Sequence, residues 1–179
     1  MEQSFEQLYE QTYWSVLRYF ARRVPGDDDH VRDLTAEVYL VAWRRRHALP
    51  PEPLPWLYGT ARHVLGTDRR STQRRRLLAQ RLGQDPAGPV LDAALHEDVH
   101  ASGDDRDHAW VHVALDHLSE SDQEVLRLAA WEELSTDQLA LALRCSRSAA
   151  AMRLHRARER LRAVLDGDPR LTETLRRSR

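Results

Sequence analysis

The chain has 179 residues, a formal charge of −1, and 27 basic residues that are all arginine. A chain of this length supports one domain or two small ones; its single cysteine, Cys145, excludes an internal disulfide, and no apolar run approaches the roughly 20 residues that cross a bilayer. The start, MEQSFEQLYE, has neither a basic n-region nor an apolar h-region, so a cytoplasmic protein without direct membrane insertion is expected.

Taken in chain order, Ser4 precedes Phe5, Leu8, Tyr9, Val16, Leu17, Phe20 and Val24 at helical spacing, and Gln7 completes a capping box. The first helix is expected over residues 5 to 23. Pro25, Gly26 and the acids Asp27 to Asp29 form a turn and a negatively charged helix start that suits the macrodipole. Val31, Leu34, Val38, Val41 and Ala42 then carry a second helix to about Arg46. HALPPEPLP (47–55) has four prolines, reads as non-helical, and leads into a third helix from about Trp56 to Leu82.

Between 83 and 107 seven acids face one arginine, with Gly and Pro clustered early. This stretch predicts an acidic tether with a short helical piece near 90–100. Helical patterning resumes at Ala109. Ser121 with Glu124 and Ser135 with Gln138 read as capping boxes, and Ser146 caps a last, long helix. No strand signal occurs. The expected fold is all-α: two small helical domains, 1–82 and 109–165, joined by a flexible acidic linker at 83–108 and followed by a tail, 166–179, of no assigned role.

A short helix (LSTDQLALAL), a tight turn (RCS) and a longer basic helix make a helix-turn-helix, whose second helix enters the DNA major groove N-terminus first. On a 100° wheel Ala150, Leu154, Ala157, Leu161 and Val164 face inward. Ser148, Ala149, Met152, His155 and Arg156 face outward, flanked by Arg153 and Arg160 on one side and Arg158 and Arg162 on the other. Small residues near the helix start admit base edges, and the flanking arginines neutralise phosphates. Residues 44–81 add ten arginines against Glu52 and Asp68, a local +8 hidden in the near-zero total by the acidic tether. A phosphate-bearing partner follows from that asymmetry.

Across nearly its whole length the sequence resembles the extracytoplasmic-function sigma factors, small promoter-specificity subunits of bacterial RNA polymerase. FEQLYEQTYWSVLRYFARR, DLTAEVYLVAWR and PWLYGTARHVLGTDRR resemble sigma region 2, and LDHLSESDQEVLRLAAWEELSTDQLALALRCSRSAAAMRLHRARERLR resembles region 4. The resemblance implies that Asp33, Leu34, Glu37, Val38 and Trp43 meet the clamp of the polymerase largest subunit. It implies that the loop residues His47, Leu49, Pro51 and Glu52 capture a base flipped from the −10 element, with Arg62, His63, Arg69 and Arg70 beside them. It assigns Arg147, Ser148, Ala149, Met152, Arg153, His155 and Arg156 to the −35 element. Docking on the polymerase flap and control by an anti-sigma factor are implied too, with no cofactor. The chain departs from the family pattern at Ala36 (commonly Gln), His63 (commonly Asn), and Ala150, Ala151 and Met152, where relatives carry a valine, a basic residue and a hydroxyl.

Other features have simpler readings. Tyr9, Tyr13, Trp14 and Tyr19 read as core and rim packing and Trp56 as core, while Tyr58 is a candidate stacking group. Cys145 reads as a small apolar residue. His96, His100, His108, His112 and His117 lack the compact ligand spacing of a metal site. A stand-alone helix-turn-helix regulator is the alternative function. A hydrolase using His108, His112 and Asp116 lacks a nucleophile motif or carboxylate pair.

Overall fold

A computed structural model describes residues 4–24, 26–82 and 109–167. The expected acidic tether, most of the tail, Pro25 and the histidines 96, 100 and 108 lie outside the described residues. Among the described residues all regular structure is helical, and the chain divides into two compact units, Met1–Val99 and His100–Arg179.

The N-terminal unit is a bundle of α1 (Phe5–Ala21), α2 (Asp28–Arg44) and α3 (Pro53–Arg81). Ser4 Oγ accepts the Glu6 N–H at 3.3 Å and Gln7 Oε1 accepts the Ser4 N–H at 3.3 Å, which starts α1 as its sequence predicts. Gly26, at φ 82°, makes the turn that only a residue without a Cβ adopts freely. Asp27 then caps α2 by accepting the His30 N–H at 2.9 Å.

Two helix boundaries differ from expectation. After α2 the chain makes a short 3-10 turn, Arg46–Ala48, and α3 begins at Pro53, three residues before Trp56. Prolines 53 and 55 sit in the first helical turn, where the N–H they lack would have no intrahelical acceptor. The proline-rich stretch is thus partly a helix start.

Tyr19, Phe20, Val38 and Leu57 are fully buried where the three helices meet. Tyr19 packs on Tyr58 at 5.6 Å between ring centroids, and the Arg23 guanidinium lies 3.6 Å over the Tyr19 ring. Thr12 joins α1 to α2: its Oγ1 donates to the Leu8 carbonyl (2.6 Å) and lies 2.8 Å from the Tyr39 hydroxyl. Burial pushes the Tyr39 hydroxyl up to about 12, with the Thr12 hydrogen bond acting in the opposite direction.

The C-terminal unit holds α4 (Ala109–Asp116), α5 (Glu120–Ala130), α6 (Thr136–Leu143) and α7 (Arg147–Gly167). The expected box of Ser121 with Glu124 is displaced by two residues. Ser119 is the cap, and its Oγ accepts the Asp122 N–H at 3.2 Å and donates to Asp122 Oδ2 at 2.7 Å. At α6 the box of Ser135 with Gln138 forms as expected. Leu115, Leu126, Leu128, Leu139, Ala142, Leu143, Ala150, Leu154 and Ala157 build the core.

Replacing Tyr39 with Phe removes the bond to Thr12, whose hydroxyl keeps Leu8 as an acceptor, so a loss of about 1 kcal/mol is expected in urea unfolding. The raised Tyr39 value means its burial stabilises the fold below the unfolded tyrosine value of 10.0. That stabilisation is lost as pH climbs through about 12. Wild type should therefore lose thermal stability over this interval more steeply than Tyr39→Phe, as followed by circular dichroism.

Candidate nucleic-acid interface

The turn before α7 rests on an unusual backbone. Arg144 adopts the left-handed conformation (φ 50°, ψ 51°) that ends α6, and the Cys145 N–H reaches back to the Ala140 carbonyl at 3.0 Å. This is a Schellman-type stop built on an arginine, where glycine is usual. Ser146 then caps α7 by accepting the Ala149 N–H at 3.2 Å.

Ala150, Leu154 and Ala157 bury one face of α7 against α5 and α6. Arg147, Ser148, Met152, Arg153, His155 and Arg156 are exposed on the remainder, while Ala149 is half-buried. Arg147 Nε lies 3.2 Å from Asp137 on α6, and His155 Nε2 lies 3.4 Å from Glu159; both pairs are largely exposed. Surface pairs of this kind are worth little and release readily to a phosphate.

Arg160 has a role that the sequence pattern did not reveal. Its Nη1 donates to both Asp122 oxygens, at 2.8 and 2.7 Å, and Asp122 is only 8 % exposed. Rather than flanking the outward face as a free phosphate ligand, Arg160 ties α7 to the start of α5. Burial raises the Asp122 carboxyl, but the Ser119 and Arg160 hydrogen bonds and the Arg160 charge outweigh it and leave the group lowered.

In the N-terminal unit, His47, Pro51 and Glu52 are exposed around the 3-10 turn and Leu49 is half-buried. Arg62, His63, Arg69 and Arg70 are exposed and recur at helical spacing on α3, away from the buried Leu57, Ala61, Val64 and Leu65. Gly66 lies between the two pairs, and Arg70 Nη1 stands 3.4 Å from where a Cβ at Gly66 would be. Arg70 Nη2 donates to Thr67 Oγ1 at 3.1 Å, which orients its guanidinium. Tyr58 is not available for stacking on a base: it is 3 % exposed and belongs to the core.

On α2, Leu34 and Val38 are core residues, 3 % and 0 % exposed, and have no surface to offer a partner. Asp33, Ala36, Glu37, Leu40 and Trp43 are exposed on this helix. Trp43 is held between Phe5, edge-on at 5.0 Å, and Arg46, whose guanidinium lies 4.4 Å from the ring centroid. Leu40, 56 % exposed, was not singled out by the sequence reading. Its signal is a large apolar residue out of phase with Val31, Leu34 and Val38.

Residues 108–161 match the family model of sigma-70 region 4. Over 92 % of this chain and 98 % of that one, the structure is similar to the sigma factor RpoE of Bartonella quintana, solved with the anti-sigma factor NepR (TM-score 0.60, 24 % identity). The fold is that of a sigma factor. A similar match is found to CnrH, solved with the cytosolic domain of CnrY (TM-score 0.57, 23 % identity, 92 % of this chain and 88 % of that one). No curated protein matches the chain in sequence. No described helix is long and apolar enough to cross a membrane, and no group of three or more metal-ligating side chains occurs among the described residues.

Arg160→Ala should destabilise the C-terminal unit by about 1 kcal/mol, a figure limited by the solvent exposure of the arginine. Because the Asp122 carboxyl is lowered on folding, its contribution is present above its unfolded value and is lost as pH falls through the folded one. Urea titrations near neutrality and near pH 3 should therefore show the wild-type advantage over Arg160→Ala shrinking in acid; an equal difference at both would remove the pair from this role.

Proposed function

We propose that the protein is an extracytoplasmic-function sigma factor that binds core RNA polymerase and directs it to promoters with −35 and −10 elements. The carrying observation is α7: a capped helix after a tight turn, apolar on one face and arginine-rich on the other, whose residues 147–161 fall in the stretch that matches sigma-70 region 4. Arg147, Ser148, Ala149, Met152, Arg153, His155 and Arg156 meet the −35 duplex, the small residues admitting base edges and the arginines reaching guanine or phosphate.

The first unit opens the −10 region. A base turned out of the stack costs a few kcal/mol, which a loop must recover by edge contacts and stacking. His47, Leu49, Pro51 and Glu52 form that loop, and Arg62, His63, Arg69 and Arg70 hold the strand by its phosphates. Asp33, Glu37 and Trp43, together with Leu40, meet the polymerase clamp, while Leu34 and Val38 set that face from beneath. The C-terminal unit docks on the flap. Catalysis belongs to the polymerase. An anti-sigma factor is the natural regulator, since the two similar structures described above were solved with protein partners, one of them named as an anti-sigma factor.

Run-off transcription with purified core polymerase on pooled genomic fragments tests the reading. Discrete new start sites preceded by two spaced motifs are expected only when the protein is added. Tight binding of the protein alone to duplex DNA, without new starts, would instead indicate a stand-alone helix-turn-helix regulator.

Arg153→Ala and Arg156→Ala should each weaken holoenzyme binding to such promoters by about 1–3 kcal/mol where the side chain meets a base, or lower the salt slope by about one where it meets a phosphate. Unchanged affinity and slope for both would take α7 out of the interface. Glu37→Ala, on the exposed face of α2, should reduce co-purification with core polymerase and leave the melting temperature unchanged.

A further inference from the structure

The distal part of α3 is an exposed surface of a particular kind. From Arg69 to Leu82 no residue is buried, and this stretch, about 20 Å of helix, carries Arg69, Arg70, Arg74, Arg75, Arg76 and Arg81 without one acid. Leu77, Leu78 and Leu82 are 47, 58 and 63 % exposed. Leu78 and Leu82 stand four residues apart, so they form a ridge, and helical spacing sets Arg74, Arg75 and Arg81 along its sides. Neighbouring like charges weaken a helix, so a cover for this face must be both apolar and acidic.

We propose that residues 90–99 of the same chain dock on this ridge. VLDAALHEDV places Leu91, Ala94 and Leu95 at positions i, i+3 and i+4, with Asp92, Glu97 and Asp98 around them. As a helix it would be about 15 Å long, comparable to the exposed part of α3. The seven residues between, GQDPAGP (83–89), are turn formers and fall within the usual length of a helix–helix connection. Chain connection holds the segment near its site at an effective concentration of order mM. A second copy of α3 would set six arginines against six, and residues 168–179 carry four arginines against Asp168 and Glu173, so neither complements the face.

Docking neutralises the arginines that continue from Arg69 and Arg70. Where these two hold a promoter strand, which rests on the function proposed above, the segment competes with DNA phosphates and reduces non-specific binding by the free protein. The docking itself rests only on the surface of α3 and the composition of the segment.

The test is a photo-cross-linking amino acid at position 78 of the full chain, with the product mapped by mass spectrometry. An intramolecular cross-link into 90–99 is expected, independent of protein concentration and lost in Leu91→Ser/Leu95→Ser. In Asp92→Asn/Glu97→Gln/Asp98→Asn, or near 1 M salt where the screening length falls to about 3 Å, its yield should drop. Cross-linking to a second copy, to any other segment, or to nothing in a chain with unchanged circular dichroism would overturn the proposal. Run-off transcription on the same variants keeps the two readings apart. New starts without the 90–99 cross-link would reject the docking and leave the sigma reading intact, whereas the cross-link without new starts would do the reverse.

Discussion

The outward chemistry of α7 depends on its inward face. Ala150, Leu154 and Ala157 bury completely or nearly so against α5 and α6, and because the helix turns 100° per residue this contact dictates which side chains remain outside. Two of the three are alanines. Their small size lets α7 lie close to its neighbours, so its rotation about its own axis is set by near-backbone packing rather than by flexible side chains. Asp122 and Arg160 add a directional tie at the far end of the helix, and Ser146 fixes its start. A helix held at both ends and along one face can present arginines to DNA in a defined register.

Charge in this protein is organised by segment. Arginine is concentrated on α3 and α7, acids on residues 83–107, and the sum is close to zero. Net charge is therefore a poor guide to partners here, whereas local charge is informative. Arginine does three different things in these helices. Arg23 lies over the Tyr19 ring; Arg160 donates from one nitrogen to both oxygens of a nearly buried carboxylate; Arg62, Arg153 and Arg156 remain exposed, where a planar guanidinium suits base edges and phosphates.

Much of the fold was legible as pattern. Helical periodicity located α1, α2, α6 and α7, and the boxes at Ser4 and Ser135 formed at the residues that encode them, because a cap is a contact across three positions of one segment. The start of α3 was misplaced since proline forbids a helix interior but fits a first turn, and composition alone does not tell which turn a residue occupies. The cap of α5 was shifted because several hydroxyls and acids lie within one turn, leaving more than one local solution. Packing selected Ser119 and Asp122.

The sequence by itself determined the helical class, the helix-turn-helix, the two arginine-rich helices and the inward stripe of α7, all of which follow from composition and spacing within single segments. Tertiary structure alone decided what each polar or aromatic side chain faces. Arg160 and Asp122 are 38 positions apart, as are His30 and Asp68, which meet at 3.1 Å. Tyr58 became core because Tyr19 of another helix lies beside it, and Leu40 became surface because Leu34 and Val38 claimed the interior. Periodicity states which residues share a face of a helix; which face is covered, and by what, depends on helices distant in the chain.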